Sequence, residues 1–156
     1  MTLCPCGSLE SYLDCCGAFI SHQARPVTPE ALMRSRYTAY TQANIDYIIE
    51  TMKGPAAENF DPNESTSWAK EVSWLGLEVL GTKIDNNQGW VEFIAHYSVN
   101  EKKSNIHEIS FFELEHGKWF YTHGKMPHNI KNVKQERNAL CLCGSHKKYK
   151  KCCGKN

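Results

Sequence analysis

No apolar run in this sequence comes near the roughly 20 residues that a membrane-crossing helix needs. No basic and apolar leader is present either, because Met1 is followed almost at once by Cys4-Pro5-Cys6. These absences argue against a membrane span and a secretory route. They set the expectation of a soluble, cytoplasmic protein whose thiols stay reduced. Charge of one sign is also missing: the formal net charge of +1 is too small to steer the whole molecule toward nucleic acid or membrane. What is not lacking is core-forming material. The 156 residues are 41% hydrophobic and 22% charged, which excludes wholesale disorder and suits one domain with its own core.

Cysteine is absent from the whole stretch between Cys16 and Cys141, so all eight cysteines fall in two terminal clusters. The first runs Cys4-Pro5-Cys6-Gly7-Ser8 through Tyr12 to Cys15-Cys16-Gly17. The second runs Cys141-Leu142-Cys143-Gly144-Ser145 through Tyr149 to Cys152-Cys153-Gly154. Aligned without gaps, these two fourteen-residue segments agree at eight positions. Such self-similarity marks one structural unit used twice. In both, two cysteines one residue apart sit on a tight turn and an eight-residue loop returns a vicinal pair, a spacing that suits a tetrahedral thiolate site. Vicinal cysteines bridge each other poorly, and a redox role would require exposed thiols of low pKa. Iron and copper share some of this thiolate chemistry, but zinc is the expected ion. Two ions per chain are expected, one held by Cys4, Cys6, Cys15 and Cys16, the other by Cys141, Cys143, Cys152 and Cys153. Neither module has enough apolar residues for a core, so metal binding must supply much of its folding energy. The expected organisation is a module over residues 1–17, a central domain over 18–139 and a second module over 140–156.

The pattern Cys-x-Cys-Gly-Ser, then Tyr-Lys-Lys-Cys-Cys-Gly, resembles the SEC-C motif, the zinc module at the C-terminal tail of the preprotein translocase SecA. The resemblance places the motif's four ligands on Cys141, Cys143, Cys152 and Cys153, and equally on Cys4, Cys6, Cys15 and Cys16. It implies a docking role, since the SecA tail engages the export chaperone SecB and ribosomes.

In the middle of the chain, Thr28 followed by Pro29 and Glu30 reads as a helix start. Met33, Tyr37 and Tyr40 then recur at helical spacing. Asn44 is read as the cap of a second helix through Ile45, Ile48, Ile49 and Met52, stopped by Gly54-Pro55. A third short helix is read at about Ser65–Val72. From Leu75 the period changes to two, which predicts strands at Leu75–Lys83, Trp90–Val99, Ile106–Leu114 and Lys118–Thr122. The expected separators are Asn86–Gly89, Lys102–Asn105 and His116-Gly117. Helices followed by an antiparallel meander imply an α+β layer fold. The segments Leu32–Tyr40, Val91-Glu92-Phe93, His107-Glu108-x-Ser110-x-Phe112 and Gly117-x-Trp119-x-Tyr121, taken with the end modules, resemble the YchJ family of bacterial proteins. That resemblance implies a cone-like central domain of the nuclear transport factor 2 type, helices on a curved antiparallel sheet, flanked by two zinc knuckles. It implies no reaction.

Cones of this kind often enclose a ligand pocket, and the residues that would serve one here are Arg34, Arg36, Tyr37, His96, His107, Glu108, Trp119 and Tyr121. Taken singly, each is more often structural: arginines on a helix pair with acids, and aromatics fill a core. His107 and Glu108 are neighbours on a predicted strand, so their side chains leave on opposite faces and form no simple dyad. No phosphate loop or nucleophile–base pairing appears. Local charge is more telling. Residues 1–17 carry net −2 and residues 134–156 carry net +6. Lys147, Lys148, Lys150 and Lys151 make the C-terminal module a candidate docking face for an acidic partner. Specific nucleic-acid readout would bring more arginine and interleaved aromatics than the single Tyr149. The expected function is therefore a zinc-binding, non-enzymatic interaction protein that docks on a protein or ribosomal surface. The alternative is an enzyme or small-molecule binder using the central cone, with the zinc modules as structural clips.

Overall fold

The computed structural model describes residues 2–127, 138 and 148–151. After a 3-10 turn at Tyr12–Asp14, the helices are α1 (Cys16–Ile20), α2 (Pro29–Thr41), α3 (Ile45–Glu50), α4 (Pro55–Glu58) and α5 (Pro62–Glu71). Four strands follow: β1 (Ser73–Asp85), β2 (Gln88–Val99), β3 (Lys102–Glu115) and β4 (Lys118–Lys125). They form one antiparallel sheet in the order β1-β2-β3-β4, the α+β layer that the change of period predicts. No described helix is long and apolar enough to cross a membrane.

Helix starts follow their caps. The Thr28 hydroxyl accepts from the Ala31 N–H at 3.0 Å, and the Asn44 amide oxygen accepts from the Tyr47 N–H at 3.2 Å, each satisfying a donor that the first turn leaves free. Three boundaries differ from the sequence reading. The helix capped by Asn44 ends at Glu50, before Met52, which instead bridges to Tyr121. Pro55 does not simply end a helix but opens the short α4, because proline fits the first helical position without needing a donor. The third helix starts earlier, at Pro62, where Asp61 accepts from the N–H groups of Asn63 and Glu64, both at 3.0 Å. Strands also outrun their apolar residues. Lys102–Asn105, read as a turn, belongs to β3, and the chain reverses at Asn100-Glu101, both at positive φ. Backbone pairing, not side-chain polarity, extends a hairpin to its tip.

The core lies between α2 and the sheet, where Leu32 and Met33 meet Val91, Phe112 and Trp119. A second cluster joins Ala39 to Ile45, Tyr47, Ile48 and Met52 on α3 and the segment after it. That segment is stitched to the edge of β4: the Tyr121 N–H donates to the Thr51 carbonyl at 2.9 Å, and the Lys53 N–H donates to the Tyr121 carbonyl at 3.0 Å. Register shifts between Trp74 and Gly76, between Val79 and Gly81, and between Phe111 and Phe112 mark bulges, which bend strands.

Candidate functional site

Two constellations stand out, one at the N-terminus and one between helices and sheet. In the first, the sulfurs of Cys4, Cys6, Cys15 and Cys16 all lie within 4.8 Å of one another, and none of the four is disulfide-bonded. Cys6 Sγ is 3.6 Å from Cys15 Sγ, which is 3.9 Å from Cys16 Sγ. Zinc–sulfur bonds of about 2.3 Å in a tetrahedron require edges of about 3.8 Å, so the donor set fits that ion. The shared motif residues build the cage. Gly7 takes φ +82° at the knuckle, a backbone region that glycine enters without strain. The Ser8 hydroxyl lies 3.3 Å from Cys15 Sγ and accepts from the Glu10 N–H at 3.2 Å. Gly17 sits so close to Tyr12 that a Cβ there would come within 2.6 Å of the Tyr12 carbonyl oxygen.

Three of the four cysteines are buried. Four sulfurs this close cannot all ionise without a cation. A hydrogen bond from Cys16 holds the Cys6 thiol down to about 4. The same bond pushes Cys16 up, and burial pushes Cys15 up. A bound divalent metal would stabilise all four as thiolates. The cage is fastened to the central domain, since the Arg34 guanidinium donates to the Cys6 carbonyl at 2.7 Å and to Glu30 at 3.1 Å. Cys4 Sγ lies 3.8 Å from the Thr38 hydroxyl on the same helix.

The second module is described only at residues 148–151. Tyr149–Lys151 form a 3-10 turn and Lys148 a β-bridge. In the N-terminal repeat the equivalent positions are the 3-10 turn Tyr12–Asp14 and the bridging residue Ser11. Lys148 and Lys151 are exposed and Lys150 is half-buried. Cys141, Cys143, Cys152, Cys153 and Lys147 lie outside the described residues.

The second constellation is a partly open pocket of about 170 Å³ between α2, α5 and the sheet. Arg36, Tyr37 and Tyr40 line it from α2, Trp68 from α5 and Trp74 from β1, facing Glu108, Ser110 and Tyr121. Glu108 Oε1 accepts from Ser110 at 2.7 Å and from Tyr121 at 2.9 Å. Arg36 is buried, donates to the Ile48 carbonyl at 2.8 Å and to Thr51 at 2.6 Å, and lies 4.7 Å over the Tyr121 ring. Burial lowers the Arg36 pKa and raises that of Tyr121, to which the Glu108 charge adds.

Of the pocket candidates, the structure brings together Arg36, Tyr37, Tyr121 and Glu108 and places the others elsewhere. Arg34 serves the cysteine cage. His107 pairs with Glu92 at 3.1 Å and His96 with Glu78 at 3.2 Å, both across strands on the face away from the helices. The Trp119 indole donates to the Val27 carbonyl at 3.2 Å and lines a separate groove. Ser110, Tyr40, Trp68 and Trp74 are not among the sequence candidates. A signal for Ser110 exists, because Ile106, Glu108, Ser110 and Phe112 share one strand face and two polar side chains on a core face need a reason.

Residues 28–124, more than half of the chain, match a family model described as YchJ, middle NTF2-like domain. The chain belongs to the YchJ family. Residues 137–155 match the SEC-C motif. Similarity to curated relatives spans both ends. A UPF0225 protein of Geobacter sulfurreducens is 41% identical over 97% of this chain and 98% of its own length. One from Serratia proteamaculans is 39% identical over 98% of each. Two solved structures, both described as SEC-C motif containing proteins, share the fold. The Rhodopseudomonas palustris protein superposes with TM-score 0.75 at 37% identity, covering 81% of this chain and 99% of that one. The Psychrobacter arcticus protein gives TM-score 0.67 at 28% identity, covering 99% and 96%.

Proposed function

We propose that this YchJ-family chain is a zinc-binding, non-enzymatic interaction protein whose two cysteine modules have different tasks. The N-terminal module is a structural clip that ties the first residues of the chain to α2. The C-terminal module holds the second zinc and docks through its lysines on an acidic protein or ribosomal surface. The observation that carries the reading is the cage itself: four sulfurs at tetrahedral spacing, three of them buried against the central domain. The match of residues 137–155 to the SEC-C motif supports extending the same chemistry to the other end, where net charge is +6 over residues 134–156. A lysine-rich face of this kind neutralises the thiolate cluster and leaves surplus charge for long-range attraction.

Two measurements test it. Native mass spectrometry of freshly reduced protein should find two zinc ions per chain; intramodular disulfides with no metal retained would remove the basis of the proposal. Replacing Lys147, Lys148, Lys150 and Lys151 by Gln should leave the zinc content at two while weakening partner capture. Capture by the unaltered protein should decline as salt rises, because exposed charges are screened over about 8–10 Å near physiological ionic strength. If the variant captures the same partners equally well at moderate salt, the docking role is lost and the zinc role stands.

A further inference from the structure

The zinc modules leave the central pocket without a task, and its wiring is uneven in an informative way. Both hydrogen bonds given to Glu108 fall on Oε1, one from Ser110 and one from Tyr121. Oε2 receives none among the described residues. Arg36 likewise uses a single terminal nitrogen for both of its bonds, so its other N–H groups have no acceptor among the described residues. The only fully buried side-chain nitrogen or oxygen without a partner among the described residues is Nε1 of Trp74, which lines the same pocket; leaving such a group unpaired costs about 1–3 kcal/mol. The two charges offset one another through Tyr121, whose ring lies beneath Arg36 and whose hydroxyl binds Glu108. The pocket therefore offers a spare donor set and a spare acceptor, with no net charge between them. Around them the walls are apolar and aromatic: Met33, Phe93, Phe112, Trp68 and Trp74.

The geometry points to a binding site for a small, neutral, dipolar molecule with a single-ring or short aliphatic body. Its head group carries a carbonyl-type acceptor toward Arg36 and an N–H or O–H donor toward Glu108. The size follows from the volume, since about 170 Å³ is close to the roughly 150 Å³ cavity that holds a benzene ring. Neutrality follows from the cancelling pair, because a charged ligand of either sign would bring in a charge with no counter-charge left to offset it. Gly124, which pairs with Ser110 across β3 and β4, leaves room for the carboxylate. A Cβ there would come within 2.1 Å of Glu108 Oε1 and 2.8 Å of the Tyr121 hydroxyl. The site is independent of the zinc reading and gives the small-molecule alternative a definite chemistry.

The test uses the full-length, metal-replete chain and four probes on one ring: benzamide, benzoate, benzylamine and toluene. Binding is read by isothermal titration and by saturation-transfer NMR. Benzamide should bind saturably, at least about tenfold more tightly than the two charged probes and toluene. Ile106→Trp, which fills the pocket from its rim, should abolish binding with the circular dichroism spectrum unchanged. Glu108→Gln keeps the shape but leaves Arg36 uncompensated, so it should reverse the order and favour benzoate. A purely structural role for Glu108 would not move that ranking. Toluene binding as well as benzamide would reveal only an apolar cavity and overturn the inference. So would preference of the unaltered chain for a charged probe, an unchanged ranking in Glu108→Gln, or no saturable binding by any probe.

Discussion

At the scale of single residues, the identities shared by the two terminal repeats acquire physical reasons. Glycine after the second cysteine is needed for φ +82°, serine bonds the third sulfur's neighbourhood, and glycine after the vicinal pair lets the chain pass against Tyr12. Gly17→Ala should therefore disturb the cage without removing a ligand, because the obstructing atom is a backbone oxygen with little freedom to move. Faster zinc release to a chromogenic chelator, with Gly7→Ala behaving similarly, is the expected result. Tyrosines give a second prediction. Burial raises the pKa of Tyr37, Tyr40 and Tyr121, and takes Tyr47, whose hydroxyl lies 2.7 Å from Ser35, up to about 12. Folded values above the unfolded value of about 10 mean that this contribution to stability is complete below pH 10. It is lost as pH rises through the folded values, from 10 toward 12 and beyond. A titration followed at 295 nm should show these tyrosines ionising late and together with loss of the circular dichroism signal. Ionisation of all seven tyrosines near pH 10 with the fold intact would contradict the burial argument.

Between elements, Arg36 joins α2 to the end of α3, and the strand-like segment after α3 joins β4. Arg36→Met removes two hydrogen bonds from a charged donor and strands the Ile48 carbonyl and Thr51 hydroxyl. The expected loss is roughly 2–4 kcal/mol in urea unfolding. Arg34→Ala, by contrast, loosens only the tie between α2 and the Cys6 carbonyl. It should leave the midpoint of central-domain unfolding nearly unchanged while speeding amide exchange in residues 1–17. These two arginines lie two positions apart and were indistinguishable as candidates in the sequence. A helical step of about 200° separates them, so one faces the cysteine cage and the other the pocket.

For the whole molecule, the question is whether the cysteine modules hold the fold or merely attach to it. The core between α2 and the sheet contains no cysteine, and the chain is long enough to be stable without metal staples. Chelation should therefore melt the N-terminal cage and leave the helix–sheet layer cooperatively folded. A truncated chain of residues 18–139 should keep its circular dichroism spectrum and a single unfolding transition. A spectrum typical of an unfolded chain would make the modules integral to the core.

Much of this architecture was legible because it depends on local chemistry. Thr28 and Asn44 announce helix starts through side chains that reach only a few residues along the chain. The period-two run after Leu75 announces strands because alternation is a property of consecutive residues. The convergence of the four N-terminal sulfurs was readable because four cysteines within thirteen residues are spaced to suit one tetrahedral site, and their repeat at the other end reinforced the reading. The turn at Asn100-Glu101 was not legible, because the polar residues Lys102–Asn105 look like a loop until they are paired with β2. Nor could the sequence separate Arg36 from Arg34, or draw Tyr40, Trp68 and Trp74 to the pocket that holds Tyr121. Those positions come from elements far apart in the chain, and only the packing of α2 and α5 on a bulged sheet decides which side chains meet.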